Sequence, residues 1–325
     1  MKPIKNVTII GMGALGTLFG YEIQSKIGRE NVAFLMDEAR CEKNKTAVYK
    51  VNGEPFDFRI ISPKEAAPAD LIIVSTKATG LTEALDTMAP AVGDETVIIS
   101  AINGVVSEEI LAERFGADKV IHAVAQGMDA AFFDRSVTFE NPGVFCLGIV
   151  DPAMREKLDA LTAFFESISF PFRLEEDIMR RIWSKFMLNV GVNQVCMVCG
   201  VGYGGVSEPG SLPRALMVAA MREAKLAAEA KGIHLTEKDL SDYVDLMASL
   251  APDSMPSMAQ DRINKKHSRW SSLRALSAGS RRSTGSSSRS TTTSTGRSCG
   301  SRRSTEGEGP PGRTSPGARS YFYAV

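Results

Sequence analysis

Val7-Thr-Ile-Ile10-Gly11-Met-Gly13-Ala-Leu-Gly16-Thr17-Leu-Phe-Gly-Tyr-Glu-Ile23 sets a short β-favouring run, three glycines at fixed spacing and a helix-forming segment end to end. Glycines alone mark ordinary turns, so the flanking elements carry the reading. After a strand, the first Gly permits a tight turn, the second lets the backbone approach a pyrophosphate, and the third lets helix and strand pack closely. The helix N-terminal amides then face the negative charge. Gly11, Met12, Gly13, Ala14, Leu15 and Gly16 therefore form a candidate dinucleotide cradle.

Working outward, the apolar runs at residues 7–10, 32–36, 71–75, 97–100 and 120–124 read as buried strands. Residues 15–27, 81–89 and 107–116 have helical spacing, the last with a Ser at its start and a Gly at its end. Such alternation predicts a Rossmann-like doubly wound parallel sheet with helices on both faces. Further strands are expected at 144–150 and 170–173, with a helix at 153–167 between them. From residue 175 the pattern turns helical, at 175–199, 212–231 and 237–250, with Gly200-Val-Gly-Tyr-Gly-Gly205 breaking the first two. The expected organisation is an α/β dinucleotide domain over 1–174, an all-α domain over 175–268 and an aberrant tail over 269–325.

The composition agrees with a folded chain. Of 325 residues 43% are hydrophobic and 23% charged, the mix of a globular protein with two cores. The zero net charge conceals an asymmetry, because residues 269–325 hold ten Arg and two Glu, leaving the first 268 residues with eight surplus acidic groups. That surplus gives no argument for specific nucleic-acid binding. No run of eighteen apolar residues occurs, and the five scattered cysteines suit reduced thiols, so the expected location is the cytoplasm, away from membranes. Cys196-Met-Val-Cys199 has CxxC spacing but continues an apolar helix, which favours core packing over a metal.

Several polar residues fall where a ligand would lie. Asp37, at the end of the second strand, could bond a ribose 2′-hydroxyl, whereas Arg40 nearby could accept a 2′-phosphate; spacing leaves both open. Lys77 in Ser75-Thr-Lys77 and Asn103 in Ala101-Ile-Asn103-Gly104 follow later strands, where each could face the ligand crevice or simply cap its loop. In Arg181-Ile-Trp-Ser-Lys185-Phe-Met-Leu-Asn189-Val-Gly-Val-Asn193, three polar residues recur every four positions on one face of an apolar helix. Polar groups in such a stripe either satisfy one another or face a ligand. A lysine there suits a general acid that protonates a carbonyl oxygen as hydride arrives at carbon.

The tail after Ser268 is Ser/Arg/Thr/Gly-rich without apolar periodicity, and disorder is the expectation. It begins inside what should be a helix. One plausible codon choice for Arg269-Trp-Ser-Ser-Leu-Arg-Ala275, CGG TGG AGT TCT TTG CGG GCA, read in a shifted frame encodes Val-Glu-Phe-Phe-Ala-Gly, a better amphipathic continuation. A reading-frame shift near Ser268 is therefore expected; an intact frame on resequencing the DNA would remove it.

Taken together, these motifs resemble the ketopantoate reductase family of 6-phosphogluconate-dehydrogenase-like two-domain reductases. The resemblance rests on the loop from Gly11 to Gly16, Ser75-Thr-Lys77, Asn103-Gly104, Ile182-Trp-Ser-Lys185 with Asn189 and Asn193, and Ser257-Met-Ala-Gln-Asp261. It implies NADPH-dependent reduction of 2-dehydropantoate to (R)-pantoate, towards pantothenate and coenzyme A, with NAD(H) the lesser expectation and a homodimer as assembly. It further implies Lys185 as proton donor, Asn103 as a shared cofactor and substrate contact, and Lys77 on the cofactor, while Arg40 is a cofactor candidate by its position alone, equally readable as a solvated helix charge. Asn189, Asn193, Ser254 and Ser257 match substrate-binding positions. Two departures stand out: Ser254 replaces an Asn of some members, and Arg269 stands where the family has a substrate-binding Glu, reversing the charge. Loss of the family's next helix should expose apolar faces at 212–231 and 237–250. The alternatives are a related NAD(P)-dependent 2-oxoacid or β-hydroxyacid dehydrogenase and a catalytically impaired dinucleotide-binding homologue.

Overall fold

Four-residue apolar strands alternate with amphipathic helices through the first half of the chain, and each strand is buried along its whole length because helices cover both faces. The computed structural model describes residues 2–256 together with Met258 and Ala259. Ser257, Arg269 and the tail lie outside the described residues.

The strands in chain order are β1 (Val7–Ile10), β2 (Val32–Leu35), β3 (Tyr49–Val51), β4 (Glu54–Phe56), β5 (Ile60–Ile61), β6 (Leu71–Val74), β7 (Val97–Ser100), β8 (Val120–Gln126), β9 (Ala131–Phe133), β10 (Ser136–Thr138), β11 (Val144–Gly148) and β12 (Phe172–Leu174). The helices are α1 (Ala14–Ile27), α2 (Glu38–Asn44), α3 (Leu81–Met88), α4 (Ser107–Phe115), α5 (Arg155–Ser167), α6 (Ile178–Cys199), α7 (Tyr203–Ser207), α8 (Leu212–Glu229) and α9 (Glu237–Ser249).

One 8-stranded sheet runs β12-β11-β8-β7-β6-β1-β2-β5. From β8 to β5 the pairs are parallel, and the strand order reverses at β1, the switch point outside which doubly wound sheets bind ligands. The period-two alternation divides the core. Val7, Ile9, Leu71, Ile73 and Ile99 pack with α1 and α5, whereas Ile10, Ile72, Val74 and Ile98 pack with α3 and α4.

The sheet is not wholly parallel as expected, because β11 pairs antiparallel with β8. The connection between them holds two short strands instead of a crossover helix, so the chain returns in the opposite direction. Those strands, β9 and β10, join β3 and β4 in a separate 4-stranded sheet that the apolar runs did not reveal. Its β3–β4 hairpin turns at Asn52 and Gly53, both at positive φ (49° and 90°), as a two-residue hairpin turn requires.

Beyond β12 the described chain is helical. Asp177 caps α6 by accepting from the Arg180 N–H at 2.9 Å, and α8 crosses α6 at Gly191, where a Cβ would come within 2.4 Å of Met221. Val124 of β8 and Cys146 of β11 join this helical core, so α6 is pressed onto the sheet's antiparallel side. Cys196 is fully buried there, in keeping with core packing. On the outer faces of α8 and α9, Leu212 (70% exposed), Leu226 (63%) and Leu246 (44%) lie open.

Candidate active site

The β1–α1 loop is shaped by close approach. At Gly11 (φ +101°) a Cβ would stand 2.8 Å from the backbone of Ser75 and Thr76 at the end of β6, and at Gly16 a Cβ would fall 1.9 Å from the Gly11 carbonyl oxygen. The Ser75 hydroxyl ties the two strand ends together, donating to the carbonyls of Ile10 (3.2 Å) and Gly11 (3.0 Å). Gly13 is different: among the described residues nothing lies within 4 Å of its would-be Cβ. It also occupies the N-cap of α1, with no side-chain cap and no acidic residue in the first turn. The amides there are open to an anion and no carboxylate repels one, which fits a pyrophosphate-bearing group. Thr76 adds a buried hydroxyl without a hydrogen-bond partner among the described residues. Met12 and Leu15 pack against the sheet core.

Asp37 and Arg40, the two alternatives for the ribose end, form one unit. Asp37 caps α2 by accepting from the Arg40 N–H (2.9 Å), and its carboxylate pairs with Arg40 Nε at 3.2 Å, with both side chains largely exposed. Lys77 is exposed just beyond β6.

A second group of residues meets at the C-terminal ends of β7 and β8. One narrow cleft is lined by Asn103, Gly104, Ala123, Ala125, Lys185 and Asn189, among others, and has a free volume of about 10 Å³. It joins residues predicted from three separate stretches. The backbone explains how. Leu147 directs its carbonyl to the Glu175 N–H and Phe145 its N–H to the Pro171 carbonyl, both towards β12. Their antiparallel partners Ala123 and Ala125 therefore direct their peptide groups away from β11. The register with β7 has ended by Ile121, so β8 overhangs and those groups face the cleft. Lys185 Nζ donates to the Ala125 carbonyl oxygen. One turn earlier, Arg181 donates to the Gln126 Oε1 and lies 3.6 Å from Glu175, so α6 is tied to the overhang at two successive turns.

Asn189 Nδ2 is buried and has no hydrogen-bond partner among the described residues. A buried amide donor without a partner costs about 1–3 kcal/mol, so it marks a place where an acceptor belongs. Asn193, one turn further along α6, is 7% exposed and is not among the residues lining the cleft. Ser254 is exposed on the segment after α9, with its carbonyl accepting from the Tyr203 N–H at 2.9 Å. The glycines of the α6–α7 break make that approach possible: a Cβ at Gly202 would meet the Pro252 oxygen at 2.5 Å.

Sequence reading missed Ala125, Gln126, Arg181 and a buried polar group at the start of α4. The Ser107 cap expected there is corrected. Val106 holds the cap position and no side chain caps the helix, because the Ser107 hydroxyl turns inward to Ser100 and Glu108. Only the Gln126–Arg181–Glu175 contacts and the β8 overhang reveal the others, and neither leaves a local motif.

A family model described as ketopantoate reductase PanE/ApbA matches residues 7–136, and its C-terminal counterpart matches residues 177–268, ending just before Arg269. The chain is 26% identical over 268 residues to the 2-dehydropantoate 2-reductase of Streptococcus pyogenes serotype M1, covering 79% of this chain and 84% of that protein. Among solved structures it is similar to the 2-dehydropantoate 2-reductase of Geobacter metallireducens, with a TM-score of 0.70, 24% identity and coverage of 85% and 93%. A D-mandelate dehydrogenase with NADH and anilino(oxo)acetate shares the fold at a TM-score of 0.71 and 19% identity, covering 84% of this chain and 91% of that one. With both family models matched in order and the two halves folded as a doubly wound sheet and a helical unit, the chain belongs to the ketopantoate reductase family of Rossmann-like oxidoreductases.

Proposed function

We infer that the protein reduces the ketone of 2-dehydropantoate to the alcohol of (R)-pantoate with NADPH. The observation that carries this reading is the convergence of Lys185, Asn189 and Asn103 on one cleft beside the sheet's C-terminal edge, with the Asn189 amide lacking an acceptor. The open Gly13 position and the uncapped amides of α1 fit the pyrophosphate, and Arg40, beside Asp37, is the group that would meet a 2′-phosphate. When bound, the dinucleotide supplies the hydride that reaches the ketone carbon.

The chain's own residues supply the proton and the orientation. On binding, Lys185 leaves the Ala125 carbonyl and presents its ammonium to the substrate's C2 oxygen at the cleft that it lines with Asn103 and Asn189. As hydride adds to carbon, the C2 oxygen takes a proton from Nζ and the lysine is left neutral, to be reprotonated from solvent. Asn189 Nδ2 would donate to the substrate, and Asn103 would contact both substrate and cofactor. Asn193, Ser254 and Ser257 belong to the proposal as substrate contacts, and Lys77 as a cofactor contact. The domains assigned to these parts are 1–174 and 175–268, and the assembly is a cytoplasmic homodimer.

Steady-state rates with ketopantoate and other 2-oxoacids, each with NADPH and with NADH, test the reading. Preference for ketopantoate with NADPH supports it, and absence of turnover with this pair overturns it. The NADH-bound D-mandelate dehydrogenase of the same fold favours a second reading, a 2-oxoacid reductase of different side-chain preference, which the same panel distinguishes.

A further inference from the structure

The Asn103 loop is bolted at both ends by a buried polar chain that the proposed reaction does not use. Ser100, the last residue of β7, is fully buried, and Ser107 and Glu108, the first residues of α4, are 3% and 5% exposed. The Ser100 hydroxyl donates to the Ser107 oxygen at 2.9 Å, and the Ser107 hydroxyl donates to Glu108 Oε2 at 2.7 Å. The Ile102 N–H donates to the Ser100 oxygen at 3.2 Å. The backbone N–H of Ala123, which points away from β11 on the β8 overhang, lies near enough to the Glu108 carboxylate to favour its charged form.

The direction of these bonds has a consequence. Both hydroxyl hydrogens point towards the carboxylate, which leaves the Ser100 lone pairs turned to the Ile102 N–H. Residues 101–106, whose Asn103 and Gly104 line the cleft, are thus stitched end to end and pinned to the strand that holds Lys185 through Ala125. Burial raises the Glu108 carboxyl to about 7, against the pull of the Ser107 and Ala123 donors. A carboxyl held at such cost on a helix start, beside an exposed Glu109 that faces solvent, is not there for solubility.

We propose that Glu108 is a positioning residue, which acts through Ser107, Ser100 and the Ala123 amide to fix the Asn103–Gly104 loop against β8. It touches neither substrate nor dinucleotide. The proposal rests on the reading of Asn103 as a ligand contact, and the test separates the two.

Glu108→Gln keeps the volume but offers an amide donor as well as an acceptor. Either its amide faces the Ala123 N–H, donor against donor, or it faces Ser107 and the serine chain must reverse. Hydrogen exchange of the unliganded protein, followed by mass spectrometry, is expected to show residues 101–106 exchanging about tenfold faster in Glu108→Gln and in Ser107→Ala, with strand peptides from β1 and β6 unchanged. NADPH affinity by fluorescence titration and KM for ketopantoate are expected to weaken about tenfold with kcat less affected, and Glu108→Gln added to Asn103→Ala should cost less than about twofold more. Unchanged exchange of 101–106, or a full tenfold loss in the Asn103→Ala background, overturns the proposal. If the variants show the exchange change but the wild-type protein turns over no 2-oxoacid, the reaction is overturned while the positioning role stands.

Discussion

The glycine loop and the Lys185 cleft lie at the same edge of one sheet and are built by opposite means. Around Gly11 and Gly16 the geometry is decided by backbone atoms that leave no space for a side chain, and the contacts join β1, α1 and the end of β6. Around Lys185 it is decided by polar groups brought from 60 residues apart, on a strand that outruns its neighbour. A site made by exclusion tolerates no added atom. A site made by paired donors and acceptors tolerates atoms but not an unmatched charge or hydrogen bond.

The sharpest way to break this contrast is to add one methyl group at two glycines. Gly16→Ala should destabilise the fold by about 3 kcal/mol or more, because its Cβ would meet fixed backbone, and dinucleotide binding should vanish with it. Gly13→Ala meets nothing among the described residues, so its melting temperature should stay within a few degrees while NADPH affinity falls. Equal loss of stability in both would remove the distinction, and thermal melts with titrations decide it.

On the cleft side, Lys185→Ala is expected to lower kcat about 10²- to 10⁴-fold, the usual contribution of a positioned general acid, with NADPH affinity retained. Undiminished single-turnover rates would end the proposed role.

Glu108 gives a smaller effect with a defined sign. Its carboxyl, raised from 4.5 to about 7 by burial, binds protons more tightly in the folded chain than in the unfolded one. Folding stability should therefore fall as pH rises between these values, by at most on the order of 3 kcal/mol, and level off above the folded value. His122, lowered by burial from 6.5, contributes the opposite slope below that pH. Comparing urea unfolding of wild type and Glu108→Gln from pH 4.5 to 8 isolates the carboxyl, since His122 is common to both; parallel curves would contradict its elevated pKa.

Asn189→Ala should have the least effect on stability, within about 1 kcal/mol, because deleting a buried unpartnered amide offsets the lost packing. KM for the oxoacid should nevertheless rise. A marked loss of stability would mean that the amide already has a structural partner.

Much of the sheet was legible because its signals are local. The runs Leu71–Val74 and 97–99 are apolar throughout, as strands covered on both faces tend to be, and the glycine spacing records a backbone approach. The 4-stranded sheet was missed although Asn52-Gly53 marked its hairpin, because strands of three residues with mixed burial are too short for a period-two pattern to stand out, even where, as in Ala131–Phe133, all three are apolar. Lys185, Asn103 and Asn189 were legible as polar residues in apolar or strand-end settings, and the cleft gathers them; Asn193 shared the pattern and Ser254 came only from the family resemblance, and neither lines it. Glu108 was invisible, since Ser107-Glu-Glu reads as an ordinary acidic helix start and nothing local tells its two carboxylates apart.

By itself the sequence determined the alternation of strand and helix, the glycine turn and the polar stripe of α6, because each depends on neighbours within a few residues. Only the tertiary structure decided which of those polar groups meet. The reversal of β11 turns the Ala123 and Ala125 peptides towards α4 and α6, and that reversal depends on how distant strands pair.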